Sequence, residues 1–137
     1  MKVLVDTSVW SLALRRKTSD AVSKKLIELI LTSQVVLIGP VRQELLSGLS
    51  NEEVFHNLKS RLEPFDDLPV TTSDYETAAQ FFNICRSRGV QGSHIDFLIC
   101  AVAANNNLHI FTTDQDFERF AMYLPIRLFE CETGSSD

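Results

Sequence analysis

Three apolar residues, Val3, Leu4 and Val5, run straight into an acid, Asp6, followed by the hydroxyl residues Thr7 and Ser8. Nothing polar alternates with them, so the run reads as a strand covered on both faces, as in a parallel sheet. A parallel strand needs partner strands and helical crossovers between them. The rest of the chain supplies both. Residues 35–38, 108–111 and 126–129 are further short apolar runs, and the stretches between them carry helical spacing. This alternation predicts one α/β domain with a mainly parallel sheet and helices on both faces, a three-layer sandwich. The domain is expected over residues 1–132, with 133–137 a frayed polar tail.

Local signals place the helices. Thr7 or Ser8 is expected to cap a first helix through about Arg15. Ser19 and Asp20 start a second, with Val22, Leu26, Leu29 and Ile30 as its apolar stripe. Gly39-Pro40 opens a third, which carries Val41, Glu44, Leu45 and Leu46. Ser50-Asn51-Glu52-Glu53 reads as a capping box for a fourth helix, with Val54, Leu58 and Leu62 inward. Residues 65–71 are acidic and hold Pro69, so any strand there is short and at an edge. Ser73-Asp74-Tyr75-Glu76 reads as a second box, opening a helix with Tyr75, Ala78, Ala79, Phe82 and Cys85 on its inner stripe. Gly89 ends it. A further helix runs from His94 to about Asn106 and is apolar at nearly every position from Phe97 to Ala104, which marks it as central. A last one bears Phe117 and Phe120.

At 137 residues, 45% of them hydrophobic, the chain can bury an ordinary globular core. No apolar run reaches the roughly 20 residues of a membrane span, and Asp6 interrupts the N-terminal run too early for a signal peptide. Cys85, Cys100 and Cys131 are odd in number and widely spaced, which suits a reducing cytoplasm and argues against a zinc cluster. The net charge of −5 speaks at first against a nucleic-acid partner. Yet acids and bases balance up to residue 90, and beyond it only Arg119 and Arg127 stand against the acids. If several of those acids bind a divalent cation, the bare count overstates the repulsion a polyanion meets. The strongest basic cluster, Arg15, Arg16, Lys17, Lys24 and Lys25, is either a solvated face or a phosphate-contacting one.

Four acids stand out by position. Asp6 ends the first strand, Glu44 lies in the helix after the second, Asp96 in the first turn of the central helix, and Asp114 just after the 108–111 strand. In a parallel sheet all four fall near one rim. Each alone has a plain reading: Asp96 completes a cap with Ser93, Asp114 caps the next helix, and Glu44 is solvated. Taken together they are harder to explain so. Unpaired carboxylates near the middle of a sheet are costly and repel one another, and no lysine or arginine lies near enough in sequence to be an obvious partner. An all-oxygen cluster without histidine or cysteine points to Mg²⁺ or Mn²⁺ rather than zinc.

The stretches VLVDTSVW, IGPVRQELLSG and HIDFLICAVAANNNLHIFTTDQDF, in this order and spacing, resemble the PIN domain, and closely the small VapC-like bacterial toxins. The resemblance covers essentially the whole chain. It implies a three-layer α/β/α fold and an endoribonuclease dependent on Mg²⁺ or Mn²⁺ that leaves a 5′-phosphate and a 3′-hydroxyl. The family's acids fall on Asp6, Glu44, Asp96 and Asp114. Asp6 and Asp96 are then direct metal ligands, Asp114 completes that site or bridges to a second ion, and Glu44 orients the attacking water. Thr112 matches a supporting hydroxyl. Asp116 either supports the site or caps the following helix. Arg15, Arg16 and Lys17 become candidate RNA contacts. The implied partners are an RNA of the tRNA or rRNA class, a VapB-like antitoxin and a second copy of the chain. The antitoxin groove is expected along the helices between Pro40 and Leu62, with Trp10 either its anchor or plain core.

Three rival readings are weighed on residues. A PIN nuclease of RNA maturation or decay is not separable by motif, although the small size favours the toxin. A haloacid-dehalogenase-type phosphatase wants a second acid two residues after the first, where Ser8 stands. A non-catalytic Mg²⁺-binding receiver or interaction module wants a late lysine, and none follows Lys59.

Overall fold

A computed structural model describes residues 1–15 and 20–130. Among these residues four strands, β1 (Val3–Val5), β2 (Val35–Val36), β3 (His109–Phe111) and β4 (Arg127–Leu128), form one sheet in the order β2-β1-β3-β4, parallel throughout. Val3 pairs with Val35 on one side and His109 on the other, so β1 and β3 are the interior strands. All three residues of β1 are fully buried, as an apolar run without alternation requires. The 65–71 segment contributes a single parallel bridge, Asp67 to Leu37, at the outer edge beyond β2.

Among the described residues, seven helices make this a three-layer α/β/α domain: α1 (Thr7–Arg15), α2 (Ala21–Leu31), α3 (Gly39–Leu46), α4 (Glu52–Leu62), α5 (Thr72–Ser87), α6 (His94–Asn105) and α7 (Asp116–Ala121). Helix α1 packs on α2 and α3, and α3 on α4; α5 packs on α6, α6 on β3 and α7 on β4. The expected centrality of α6 holds, with every residue from Phe97 to Ala103 buried. At its far end Asn107 takes a positive φ of 57°, and Leu108 N–H reaches back to the Ala103 carbonyl at 2.9 Å, turning the chain into β3.

Several local expectations shift. Thr7 and Ser8 do not cap α1. They lie inside its first turn, and the Asp6 carbonyl takes the N–H groups of Val9 and Trp10. Asn51 alone caps α4, its side chain accepting from Val54 N–H at 3.1 Å. The box of α5 is Thr71 with Asp74 rather than Ser73 with Glu76. That frame puts Asp74, Ala78, Phe81 and Cys85 inward and leaves Tyr75 55% exposed. Asp74 gains from the shift, because its buried carboxylate also accepts from Asn105 Nδ2 of α6 at 2.8 Å. Trp10 is core, 3% exposed and edge-on to Phe65 with ring centroids 5.3 Å apart, so it anchors no partner. The 133–137 tail and Cys131 lie outside the described residues.

Candidate active site

The chain leaves β1 for β2 on one side and reaches β3 on the other, so β1 and β3 flank the point where the strand order reverses. In open α/β sheets the crevice beyond the carboxyl ends at such a point receives ligands. Asp6 stands there. Its N–H bonds to the Phe111 carbonyl at 2.8 Å, extending the ladder one residue past β1 and fixing the backbone that carries the acid.

Two hydroxyls close on one oxygen of Asp6. Ser8 Oγ and Thr112 Oγ1 each donate to Asp6 Oδ2 at 2.8 Å. Both also order the turn after β3: Ser8 Oγ accepts from Thr113 N–H at 3.0 Å, and Thr112 Oγ1 from Asp114 N–H at 3.0 Å. Asp114 Oδ1 in turn accepts from Asp116 N–H at 2.9 Å. The turn that holds Asp114 is thus built on the carboxylate of Asp6.

Asp96 arrives from α6. Its backbone N–H donates to Ser93 Oγ and its Oδ2 accepts from Ser93 N–H, both at 3.1 Å, a reciprocal capping box. Gly92 lets this helix start press close: a Cβ there would lie 2.5 Å from Phe120 Cζ and 3.0 Å from Phe97 Cε2. Burial pushes the Asp96 carboxyl above the ordinary carboxylate range. The Ser93 hydrogen bonds oppose the rise, while the charges of Asp6 and Asp114 add to it. That repulsion marks the three aspartates as one electrostatic group. Glu44 joins from α3, where Thr7 Oγ1 donates to its Oε1 at 2.7 Å, next to Asp6 in the chain.

Among the described residues none of the four acids takes part in an ion pair. The three aspartates share a further pattern. Each has one oxygen held by protein donors, Asp6 Oδ2, Asp96 Oδ2 and Asp114 Oδ1, while its other oxygen receives no hydrogen bond from the described residues. As the side chains stand, no three of His, Cys, Asp or Glu among the described residues close tightly enough to cage an ion. The donor chemistry nevertheless fits a hard divalent cation: oxygen only, uncompensated charge, and an open coordinating atom on each aspartate.

Thr112, the hydroxyl matched by resemblance, donates to the Asp6 carboxylate. Asp116 does not cap α7, whose N-cap is Gln115. It contributes its backbone N–H to Asp114, while its carboxylate lies 4.0 Å from Arg119. Arg15 closes α1, and Arg16 and Lys17 lie outside the described residues. Sequence reasoning passed over Thr7 and Ser8, treated only as helix caps. The signal was present: short hydroxyl side chains just after an acid readily hydrogen-bond locally.

The fold and its rim define a class: a parallel α/β sheet whose reversal crevice is bordered by acids that form no ion pair among the described residues. The profile of the PIN domain matches residues 3–122, and the chain belongs to that family. Solved structures share the fold over nearly their whole lengths. FitAcB from Neisseria gonorrhoeae is 28% identical, with a TM-score of 0.76 over 93% of this chain and 96% of its own. DNA-bound VapBC from Salmonella typhimurium is 17% identical, with a TM-score of 0.76 over 94% and 97%. VapBC-5 from Mycobacterium tuberculosis, of a toxin–antitoxin family, is 18% identical, with a TM-score of 0.70 over 95% and 99%. No curated protein matches the chain.

Proposed function

We propose that the chain is a Mg²⁺- or Mn²⁺-dependent endoribonuclease and the toxin of a toxin–antitoxin pair. The observation that carries this reading is Asp6 at the carboxyl end of β1, tied through Ser8 and Thr112 to the turn that carries Asp114, with the Asp96 carboxyl feeling both charges and none of the three in an ion pair among the described residues. Membership of the PIN family and the likeness to FitAcB and the VapBC structures support it.

Asp6, Asp96 and Asp114 would hold the cation through carboxylate oxygens. When bound, the ion neutralises charge on the scissile phosphate and acidifies the attacking water. Glu44, steadied by Thr7, would orient that water opposite the leaving oxygen and take up its proton as the P–O3′ bond breaks, and the departing 3′ oxygen would take a proton from solvent. Thr112 and Ser8 keep Asp6 and the Asp114 turn in register. Asp116 acts through its backbone, and Arg15, Arg16 and Lys17 are assigned to the RNA backbone, whose source is a tRNA or rRNA. The products carry a 5′-phosphate and a 3′-hydroxyl.

The antitoxin is assigned to the groove between α1, α3 and α4, about 300 Å³ in volume and lined by Leu14, Leu45, Leu49, Val54 and Leu58 with Arg61 at its side. An amphipathic helix or extended arm lays its apolar residues into such a groove. A second copy of the chain completes the assembly, and the setting is the cytoplasm; no helix among the described residues is long and apolar enough to cross a membrane.

The test is incubation of the purified chain with structured tRNA and rRNA fragments and millimolar Mg²⁺ or Mn²⁺. Wild type is expected to cut at discrete sites and leave 5′-phosphate ends, while Asp6→Asn and chelator-treated wild type leave the RNA intact. Equal cleavage by wild type and Asp6→Asn, or none by either, contradicts the reading.

A further inference from the structure

We propose that Ser8 is a positioning residue that fixes the orientation in which the Asp6 carboxylate faces a divalent cation and locks that orientation to the Asp114 turn. The inference rests on the metal-site reading above and deepens it.

The geometry allows little freedom. A hydroxyl carries one proton and two acceptor lone pairs. Ser8 Oγ and Thr112 Oγ1 both point that proton at Asp6 Oδ2, at 2.8 Å each. Their own separation of 3.3 Å therefore follows from a shared acceptor and is not a hydrogen bond between them. Two donors fill Asp6 Oδ2, and the other oxygen is the one left to coordinate. With Thr112 alone, a single hydroxyl donor holds the carboxylate, and its plane is less tightly fixed.

Ser8, like Thr112, also holds the Asp114 turn, but it does so from α1. It stands on the first turn of α1, which hangs from the Asp6 carbonyl through Val9 and Trp10, and it receives Thr113 N–H at 3.0 Å from across the sheet. One side chain thus ties Asp6, α1 and the turn carrying Asp114 together. Outer partners of metal ligands typically alter metal affinity by about 10- to 100-fold. A hydroxyl that fixes one ligand directly and a second through its loop belongs in that range.

The experiment is a Mn²⁺ titration of the full-length, chelator-stripped chain, read by loss of the free-ion electron paramagnetic resonance signal, beside a metal-free thermal melt. Ser8→Ala is expected to weaken Mn²⁺ binding by about 10-fold. Ser8→Thr, which keeps the hydroxyl, is expected to bind within about 2-fold of wild type. Should the alanine variant not fold, Ser8→Cys keeps the shape with a poorer donor and is expected to lose affinity in the same direction. If wild type binds Mn²⁺ and folded Ser8→Ala, or folded Ser8→Cys in its place, binds it equally well, Ser8 is only a structural joint and the inference is overturned, whatever the melt shows. If wild type itself binds no Mn²⁺, the metal-site reading fails first and this inference with it.

Discussion

Asp96 does two things with one carboxylate, and they separate on mutation. Its Oδ2 caps α6 against Ser93 N–H, and its charge sits against those of Asp6 and Asp114. Asparagine keeps an oxygen for the cap and removes the charge. Asp96→Asn is therefore expected to abolish cleavage while leaving the metal-free chain at least as stable as wild type. Asp96→Ala loses the cap as well and is expected to fall by about 1 kcal/mol relative to the asparagine variant. Because the folded state raises the Asp96 pKa, it holds that proton more tightly than the unfolded chain does. The contribution of Asp96 to metal-free stability thus declines as pH rises from the ordinary carboxylate value through its raised one, and stays low above it. The difference in melting temperature between Asp96→Asn and wild type is expected to widen in favour of the mutant across that window. A gap independent of pH contradicts the electrostatic account.

Asp74 has the opposite sign. Burial alone pushes its carboxyl up, but the Thr71 backbone N–H and the Asn105 amide more than offset this and hold it below the ordinary value. Its stabilisation is present above the unfolded carboxylate pKa and disappears as pH falls through the lowered one. Asp74→Ala removes both the α5 cap and the tie to α6, and is expected to cost about 2 kcal/mol at neutral pH, measured by denaturant unfolding. It lies outside the catalytic group, so cleavage by the folded fraction is expected to persist.

At the scale of elements, what was legible in the sequence was whatever a short window could express. The run Val3–Val5 named a strand covered on both faces, and the apolar block after Asp96 named a central helix. The Ser93–Asp96 box was also read correctly, since both partners lie within four residues. The box at α5 was misplaced by two residues, because Thr71, Thr72 and Ser73 are all credible caps. The choice among them falls to Asn105, more than thirty residues away. Thr7 and Ser8 were misread for the same reason: their partners, Glu44 and the 112–113 turn, arrive only on folding. Gly92 carries an element-scale test. Phe97 and Phe120 are buried rings that cannot swing aside for a Cβ at 2.5–3.0 Å. Gly92→Ala is expected to destabilise by about 1–3 kcal/mol by thermal or denaturant unfolding. It also displaces the start of α6, so cleavage is expected to drop by more than the unfolded fraction accounts for.

For the molecule as a whole, strand order is the property that matters. The order β2-β1-β3-β4 makes β1 and β3 neighbours, and so Asp6 and Asp114, over a hundred residues apart in the chain, stand at the ends of adjacent strands. The positions of the acids at strand ends suggested a common rim, but the hydroxyl network joining them was invisible before the fold was known. The acid-rich final third, at first an argument against a polyanionic substrate, supplies Asp96 and Asp114 to this rim.

The central claim is that these acids form a site needing a divalent cation, and its most direct measurement is a thermal melt of metal-free protein with and without Mn²⁺. A ligand that binds only the folded state at one hundred times its Kd stabilises by about 2.7 kcal/mol. Wild type is therefore expected to melt several degrees higher with saturating Mn²⁺, while Asp6→Asn and Asp114→Asn shift little. No shift in wild type, or an equal shift in all three proteins, would contradict the account.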